Sequence, residues 1–222
     1  MTSFADRADA GRRLAAALAS YRDRRPVVLA LPRGGVPVAA EVAAALGAPL
    51  DLILVRKIGV PYQPELAMGA VVDGDPPIIV RNDDVIDHAG IDEGVFQAVC
   101  DRELEEIERR RDRYLRGRPR APVAGRVVIV IDDGVATGAT IRAALKAMRQ
   151  RKPELLVLAV PVGPSATIDA LRGEADAVVC LEEHRQFVAI GLFYADFTQT
   201  TDQEVLAALA AHPPSTSSVG SA

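Results

Sequence analysis

Short runs of branched apolar residues alternate along this chain with longer stretches whose apolar positions recur every three or four residues. The first such stretch, Phe4 to Tyr21, sets Leu14 and Leu18 on one face of a helix. Pro26 to Leu31 is then a short strand, ended by the turn Pro32-Arg33-Gly34-Gly35, and Val36 to Gly47 is a helix stopped by its glycine. Leu50 to Val55 is the next strand. Arg56 to Leu66 carries too much proline and glycine for a regular element and predicts a substantial loop. Ala67 to Val72 and Pro77 to Val80 read as two short strands around the turn signal Asp73-Gly74-Asp75. A long charged stretch, Asp92 to Arg116, spaces Val95, Val99, Leu104, Ile107, Tyr114 and Leu115 as a helix would, with acids leading and arginines trailing as the helix dipole favours. Alternation then resumes with strand Arg126 to Ile131, a helix from Thr140 to Arg151, strand Leu155 to Val160, helix Ser165 to Arg172 and strand Ala177 to Leu181.

Strands that alternate with helices and are apolar on both faces predict a parallel β-sheet with helices on both faces, an α/β fold of Rossmann-like type. One domain accounts for residues 1–212, with a helical insert at about 82–118 as a small hood or insert segment. The run Pro213 to Ala222, rich in proline and serine, reads as a disordered tail or linker.

Composition changes this picture mainly by exclusion. A hydrophobic content of 49% is ample for a core, and 26 Lys+Arg against 30 Asp+Glu give a formal charge of -4. That balance supplies no global field to gather nucleic acid, and it makes Arg109, Arg110, Arg111 and Arg113 read as a solvated helix face. Cys100 and Cys180 form no CxxC pair, and the three histidines show no metal-ligand spacing, so the residues offer no direct metal site. The opening residues mix acids and arginines where a signal peptide needs an apolar core, and no apolar run is long enough to span a membrane. A reducing, cytoplasmic setting is the expectation.

The chemistry concentrates at Val127 to Thr140, where an apolar strand runs into Asp132 and Asp133 and then into a tract of Gly, Ala and Thr. Burying two unpaired carboxylates side by side is costly, so the pair belongs at a strand end with something to bind. A loop Gly134 to Ala139 leading into a helix N-terminus turns backbone N–H groups toward one point, and small side chains let a phosphate approach them. Carboxylates facing that phosphate would repel it; accepting hydrogen bonds from hydroxyls on the same ligand, they complete a sugar-phosphate site. A P-loop would require GxxxxGK[ST] and a dinucleotide fold GxGxxG after its first strand, and the chain has neither.

The string VIVIDDGVATGAT resembles the phosphoribosyl pyrophosphate (PRPP) signature of the type I phosphoribosyltransferases, one departure being Gly134, where that family more often has an aliphatic residue. The departure is expected to loosen the turn without removing a ligand contact. The resemblance implies the type I phosphoribosyltransferase fold, with Asp132 and Asp133 on the ribose hydroxyls and Ala136, Thr137, Gly138, Ala139 and Thr140 around the 5′-phosphate. Leu31 to Gly35 looks like the family's pyrophosphate loop, which assigns Arg33, Gly34 and Gly35 to the leaving group; Val55 to Leu66 is the counterpart of its mobile catalytic loop, with Lys57 first and Arg56 second as groups that neutralise departing pyrophosphate. Mg2+ would be carried largely by PRPP and water, and a homodimer is expected by the same resemblance.

The acceptor is less defined. In the 6-oxopurine enzymes an acid stands three residues after the second aspartate, where this chain has Ala136; the local ATGAT is nearer the adenine-type pattern. Phe187 to Phe197 resembles the base-stacking segment of the 6-oxopurine enzymes, with Phe187 or Tyr194 as ring partners, although it has Phe193 where they have an aspartate. Aromatics packed as core explain that segment equally well. The expectation is therefore a Mg-dependent transferase of the 5-phosphoribosyl group to a nucleobase or related nitrogen acceptor. The alternative on the same fold is a PRPP-sensing regulatory or RNA-binding protein that uses the arginine-rich helix.

Overall fold

A computed structural model describes residues 2–214 of the chain; of the tail expected over 213–222, residues 215–222 lie outside the described residues. Five parallel strands form the central sheet in the order β2-β1-β6-β7-β8: β1 Val27–Ala30, β2 Leu50–Leu52, β6 Val127–Ile131, β7 Leu155–Pro164 and β8 Ala177–His184. The chain passes from β1 outward to β2 and later returns on the other side of β1 as β6. The β1–β6 junction is thus the switch point where open α/β sheets place ligands.

Both faces of the sheet are covered, as the apolar runs require. In β6, Val127, Ile129 and Ile131 join one core with α1 (Arg7–Ala17), α2 (Gly35–Leu46) and α7 (Asp202–Ala211). Val128 and Val130 point the other way, into a core with α5 (Ala139–Gln150) and α6 (Ser165–Leu171). A period-2 side-chain alternation within an uninterrupted apolar run is what a strand buried on both faces needs.

The second unit corrects one sequence expectation. Arg56 to Leu66 is not a loop. It belongs to an antiparallel hairpin of β3 (Val55–Val60) and β4 (Gln63–Val72), to which β5 (Ile78–Arg81) adds a third strand. Leu50 to Val55, read as one strand, is accordingly broken at Ile53-Leu54, its last residue opening the hairpin. The glycine and proline that suggested a loop mark a bulge, with register shifts on both sides of Gly59, and the turn at Pro61-Tyr62. On this small sheet lie α3 (Asp83–Ala89) and α4 (Glu93–Leu115), the helices of the expected insert. Ile58, Met68, Val71, Phe96, Cys100 and Ile107 form their shared core. Among the described residues, no helix is long and apolar enough to cross a membrane.

Candidate active site

The register of β1 against β6 brings the two sequence motifs together. Ala30 pairs with Ile131, and the Leu31 N–H donates to the Ile131 carbonyl at 2.9 Å, so the turn after β1 lies directly on the acids after β6. The contact is close enough to demand glycine. A Cβ on Gly34 would fall 2.6 Å from the Asp133 Cγ and nearer still to its Oδ2, and one on Gly35 would fall 2.8 Å from the Asp132 Cα. The candidate pyrophosphate turn and the candidate ribose-binding pair are therefore one packed unit, with the Pro32–Arg33 peptide cis.

Within the pair the two carboxylates have different surroundings. Asp133 is 8% exposed; its Oδ2 accepts from Arg7 Nε at 2.8 Å. Its N–H donates to Asp132 Oδ1 at 2.9 Å. Burial pushes the Asp132 carboxyl well above the usual carboxylate range, and the neighbouring Asp133 pushes it further. Burial raises Asp133 as well, but Arg7 pulls the other way by hydrogen bond and by charge. Such an arrangement favours a neutral or hydroxyl-donating ligand group at Asp132, where a hydrogen bond can replace lost solvation.

The next residues are those of the candidate phosphate cradle. Val135 is buried and ties the loop down, its N–H donating to the Val162 carbonyl at 2.9 Å. Ala136, Thr137, Ala139 and Thr140 remain exposed around Gly138, which takes φ 76° just before α5. No side chain of the described residues caps this helix start, so its first-turn N–H groups are left without a side-chain acceptor. Gly134 is buried, and the space a side chain would need there is filled by Ile190, 2.7 Å from where a Cβ would stand, so the packing of this turn accommodates glycine.

Lys57 and Arg56 are separated by the pleat of β3. Lys57 faces α5 and lines a cavity of 290 Å³ together with Gly69, Ala70, Thr140, Arg142 and Lys146, so it shares a cavity with Thr140 of the candidate cradle. Its Nζ lies 3.4 Å from Glu65 Oε2. Arg56 faces the opposite side and pairs with Glu103 of α4 at 2.7 Å. The structure thus places Lys57, and not Arg56, with the loop residues.

Arg33 projects from the turn to within 3.6 Å of Asp202 at the start of α7, where Asp202 also meets Arg113 at 2.6 Å and accepts from the Tyr114 hydroxyl. Those interactions, the Tyr114 hydrogen bond first, lower the Asp202 carboxyl. Phe187 is half-buried and stacks on Phe193 with ring centroids 5.3 Å apart. Tyr194 corrects the sequence reading. It is 4% exposed, packs against Phe4 and Phe197, and donates its hydroxyl to the Asp133 carbonyl at 2.6 Å, so it supports the strand end from within and has no free face for an acceptor ring. Tyr194→Phe is expected to cost about 1–3 kcal/mol of stability by leaving that carbonyl unsatisfied, measured as a lower midpoint in thermal unfolding.

Two residues at the site had no signal in the sequence. Arg7, 126 positions from Asp133, and Asp202, at the far end of the chain, reach it only through the packing of α1 and α7. Charged residues at helix starts are so common that neither could be singled out from the chain alone.

Comparison with known proteins agrees with this geometry. The family model described as "Phosphoribosyl transferase domain" matches residues 3–197. "Putative phosphoribosyl transferase Rv0571c" of Mycobacterium tuberculosis (strain ATCC 25618 / H37Rv) is 50% identical over 209 residues, covering 94% of this chain and 47% of its own length. "Putative phosphoribosyl transferase MT0597" of strain CDC 1551 gives the same figures, so the chain spans about half the length of the curated relatives it matches. The crystal structure of TT1426 from Thermus thermophilus is 42% identical with a TM-score of 0.84, over 96% of this chain and 100% of that one. With this match over most of its length and a strand end, acid pair and cradle of the expected form, the chain belongs to the phosphoribosyl transferase domain family.

Proposed function

We propose that this chain transfers the 5-phosphoribosyl group from PRPP to a nucleobase or related nitrogen acceptor and releases pyrophosphate. The observation that carries the reading is the packing of Gly34 and Gly35 onto Asp132 and Asp133, followed at once by the uncapped start of α5. In the reaction the C1′–O bond to pyrophosphate breaks, a C1′–N bond forms and the acceptor nitrogen loses its proton. Positive charge grows on the ribose ring and negative charge on the leaving group, so orientation and charge complementarity are the protein's main contributions.

The roles follow from position. Asp132 and Asp133 take the ribose hydroxyls, Ala136 to Thr140 hold the 5′-phosphate, and the backbone of Gly34 and Gly35 with Arg33 receives pyrophosphate. Lys57 adds a cation on a flexible stem from the hairpin. Phe187 is the remaining candidate for contact with an acceptor ring. An oxygen-rich site of this kind fits a Mg2+ ion carried in by PRPP and water, which would neutralise charge on the leaving pyrophosphate.

The regulatory alternative loses support at its own residues. Arg109 and Arg110 both donate to Glu106, whose carboxyl they hold at about 2, and Arg113 pairs with Asp202. The helix cations that an RNA contact would use are thus largely committed within the chain. The test of function is a screen of nucleobases with PRPP and Mg2+ that reads pyrophosphate. Release with at least one base is expected; binding of PRPP without release across the purines and pyrimidines would favour a sensor instead.

A further inference from the structure

We infer that Arg7 is a positioning residue of this site, fixing Asp133 as the charged, immobile member of the acid pair and leaving Asp132 to adapt to the ligand's hydroxyls. The inference rests on the reading of the site as a PRPP site. Arg7 is held by two hydrogen bonds and an aromatic ring. Its Nε donates to Asp133 Oδ2 at 2.8 Å, its Nη1 donates to the Thr198 carbonyl at 2.7 Å, and its guanidinium carbon lies 3.9 Å from the centre of the Phe197 ring. Both charged side chains of the pair are only 11% exposed, unlike a surface ion pair.

The backbone that presents Arg7 is held as firmly. Ala195 N–H donates to the Phe4 carbonyl and Asp196 N–H to the Ala5 carbonyl, each at 2.8 Å, which zips the residues just before α1 onto the segment bearing Phe197 and Thr198. Asp6 then caps the helix through Asp9 N–H at 2.7 Å. A planar guanidinium using its edge for two acceptors and its face for a ring has little freedom to leave.

The consequence concerns protons. Two adjacent carboxylates with little solvent would tend to share one proton, and a protonated carboxyl is a weaker, uncharged acceptor for a ribose hydroxyl than a carboxylate is. A cation on one member breaks that symmetry. The charged and titratable groups facing Asp133 are Asp132 in its own segment, Arg7 from α1 and Tyr194 beneath its carbonyl. Asp196 and Glu204, both at the surface, lie within the field of Arg7. Loss of the cation raises the pH at which Asp133 ionises, so ligand affinity should fall near neutrality and return as pH rises.

The test is PRPP affinity with Mg2+ from pH 6 to 9 for wild type, Arg7→Gln and Arg7→Lys, each variant expressed as a ratio to wild type at the same pH. Removing an adjacent cation moves a carboxyl by about 1–3 pH units, so for Arg7→Gln a loss that is greatest at pH 6 and shrinks steadily toward pH 9 is expected, up to about tenfold for each unit by which the ionisation of Asp133 rises past the assay pH. Arg7→Lys should keep a nearly flat ratio. A pH-independent loss in Arg7→Gln, or no loss, overturns the inference. Carbon-13 NMR titration of the aspartate carboxyls without PRPP separates this from failure of the functional reading. Asp133 must ionise at higher pH in Arg7→Gln than in wild type even if wild type binds no PRPP. Should Arg7→Gln not fold, Phe197→Leu loosens the same guanidinium and must move Asp133 in the same direction; an unmoved Asp133 overturns the inference.

Discussion

Replacing Gly34 with alanine is expected to weaken PRPP binding by about 10- to 100-fold while leaving the fold intact. The added methyl would stand 2.6 Å from the Asp133 Cγ, with Oδ2 closer still. Neither partner can give way cheaply, because Asp133 is held by Arg7 and the turn is held by the Leu31 hydrogen bond to Ile131. Overpacking at such a point costs about 1–3 kcal/mol, and each 1.4 kcal/mol spent on displacing the ligand-binding geometry is about tenfold in affinity. Calorimetric titration with PRPP and Mg2+ measures the first effect, and circular dichroism checks that secondary structure is kept. Affinity within twofold of wild type would show that the turn and the acid pair act separately.

The two aspartates should answer the same conservative change in opposite ways. Asp132→Asn removes a carboxylate whose ionisation is opposed by burial and by Asp133, so about 1–2 kcal/mol of added stability is expected at pH 7. Asp133→Asn takes away the partner of a nearly buried guanidinium, and a loss of about 2–4 kcal/mol is expected. Both variants should bind PRPP about 10- to 100-fold more weakly, since each replaces a carboxyl oxygen that can accept from a ligand hydroxyl with an amide NH2 that cannot. Thermal melts of the three proteins in one buffer decide the matter. Equal destabilisation by the two substitutions would mean that Arg7 does not distinguish the carboxylates.

The parts of the fold that were legible in the chain are those set by local pattern. The β6 run had to be a strand covered on both faces, and the acids after Ile131 had to sit at its end, because two carboxylates could not continue into a core. The turn after β1 was legible for the same reason, as Gly34 and Gly35 announce a close approach; what they approach is the acid pair itself, which only the sheet order reveals.

Elsewhere the same residue types carried two meanings. Gly59, Pro61 and Pro64 suggested a loop but serve a bulged hairpin, where proline near the tip and glycine at the bulge interrupt few ladder bonds. That hairpin geometry is what divides Lys57 from Arg56, neighbours in sequence on opposite faces. Tyr194 looked like an acceptor contact and is a buried prop, a choice that depends on Phe4 and Phe197 closing around it. Arg7 and Asp202 illustrate the larger gap. Arg7 and Asp133, and Asp202 and Arg33, are more than a hundred positions apart, and no local spacing encodes such a pairing.

The central claim is that the acid pair and the cradle after it bind PRPP. Its most direct test is calorimetric titration of PRPP into the protein at saturating Mg2+, beside the Asp132→Asn/Asp133→Asn double variant. Saturable binding by the wild type that is lost in a folded double variant is the expected result; the absence of PRPP binding by the wild type, or equal binding by both proteins, would contradict it.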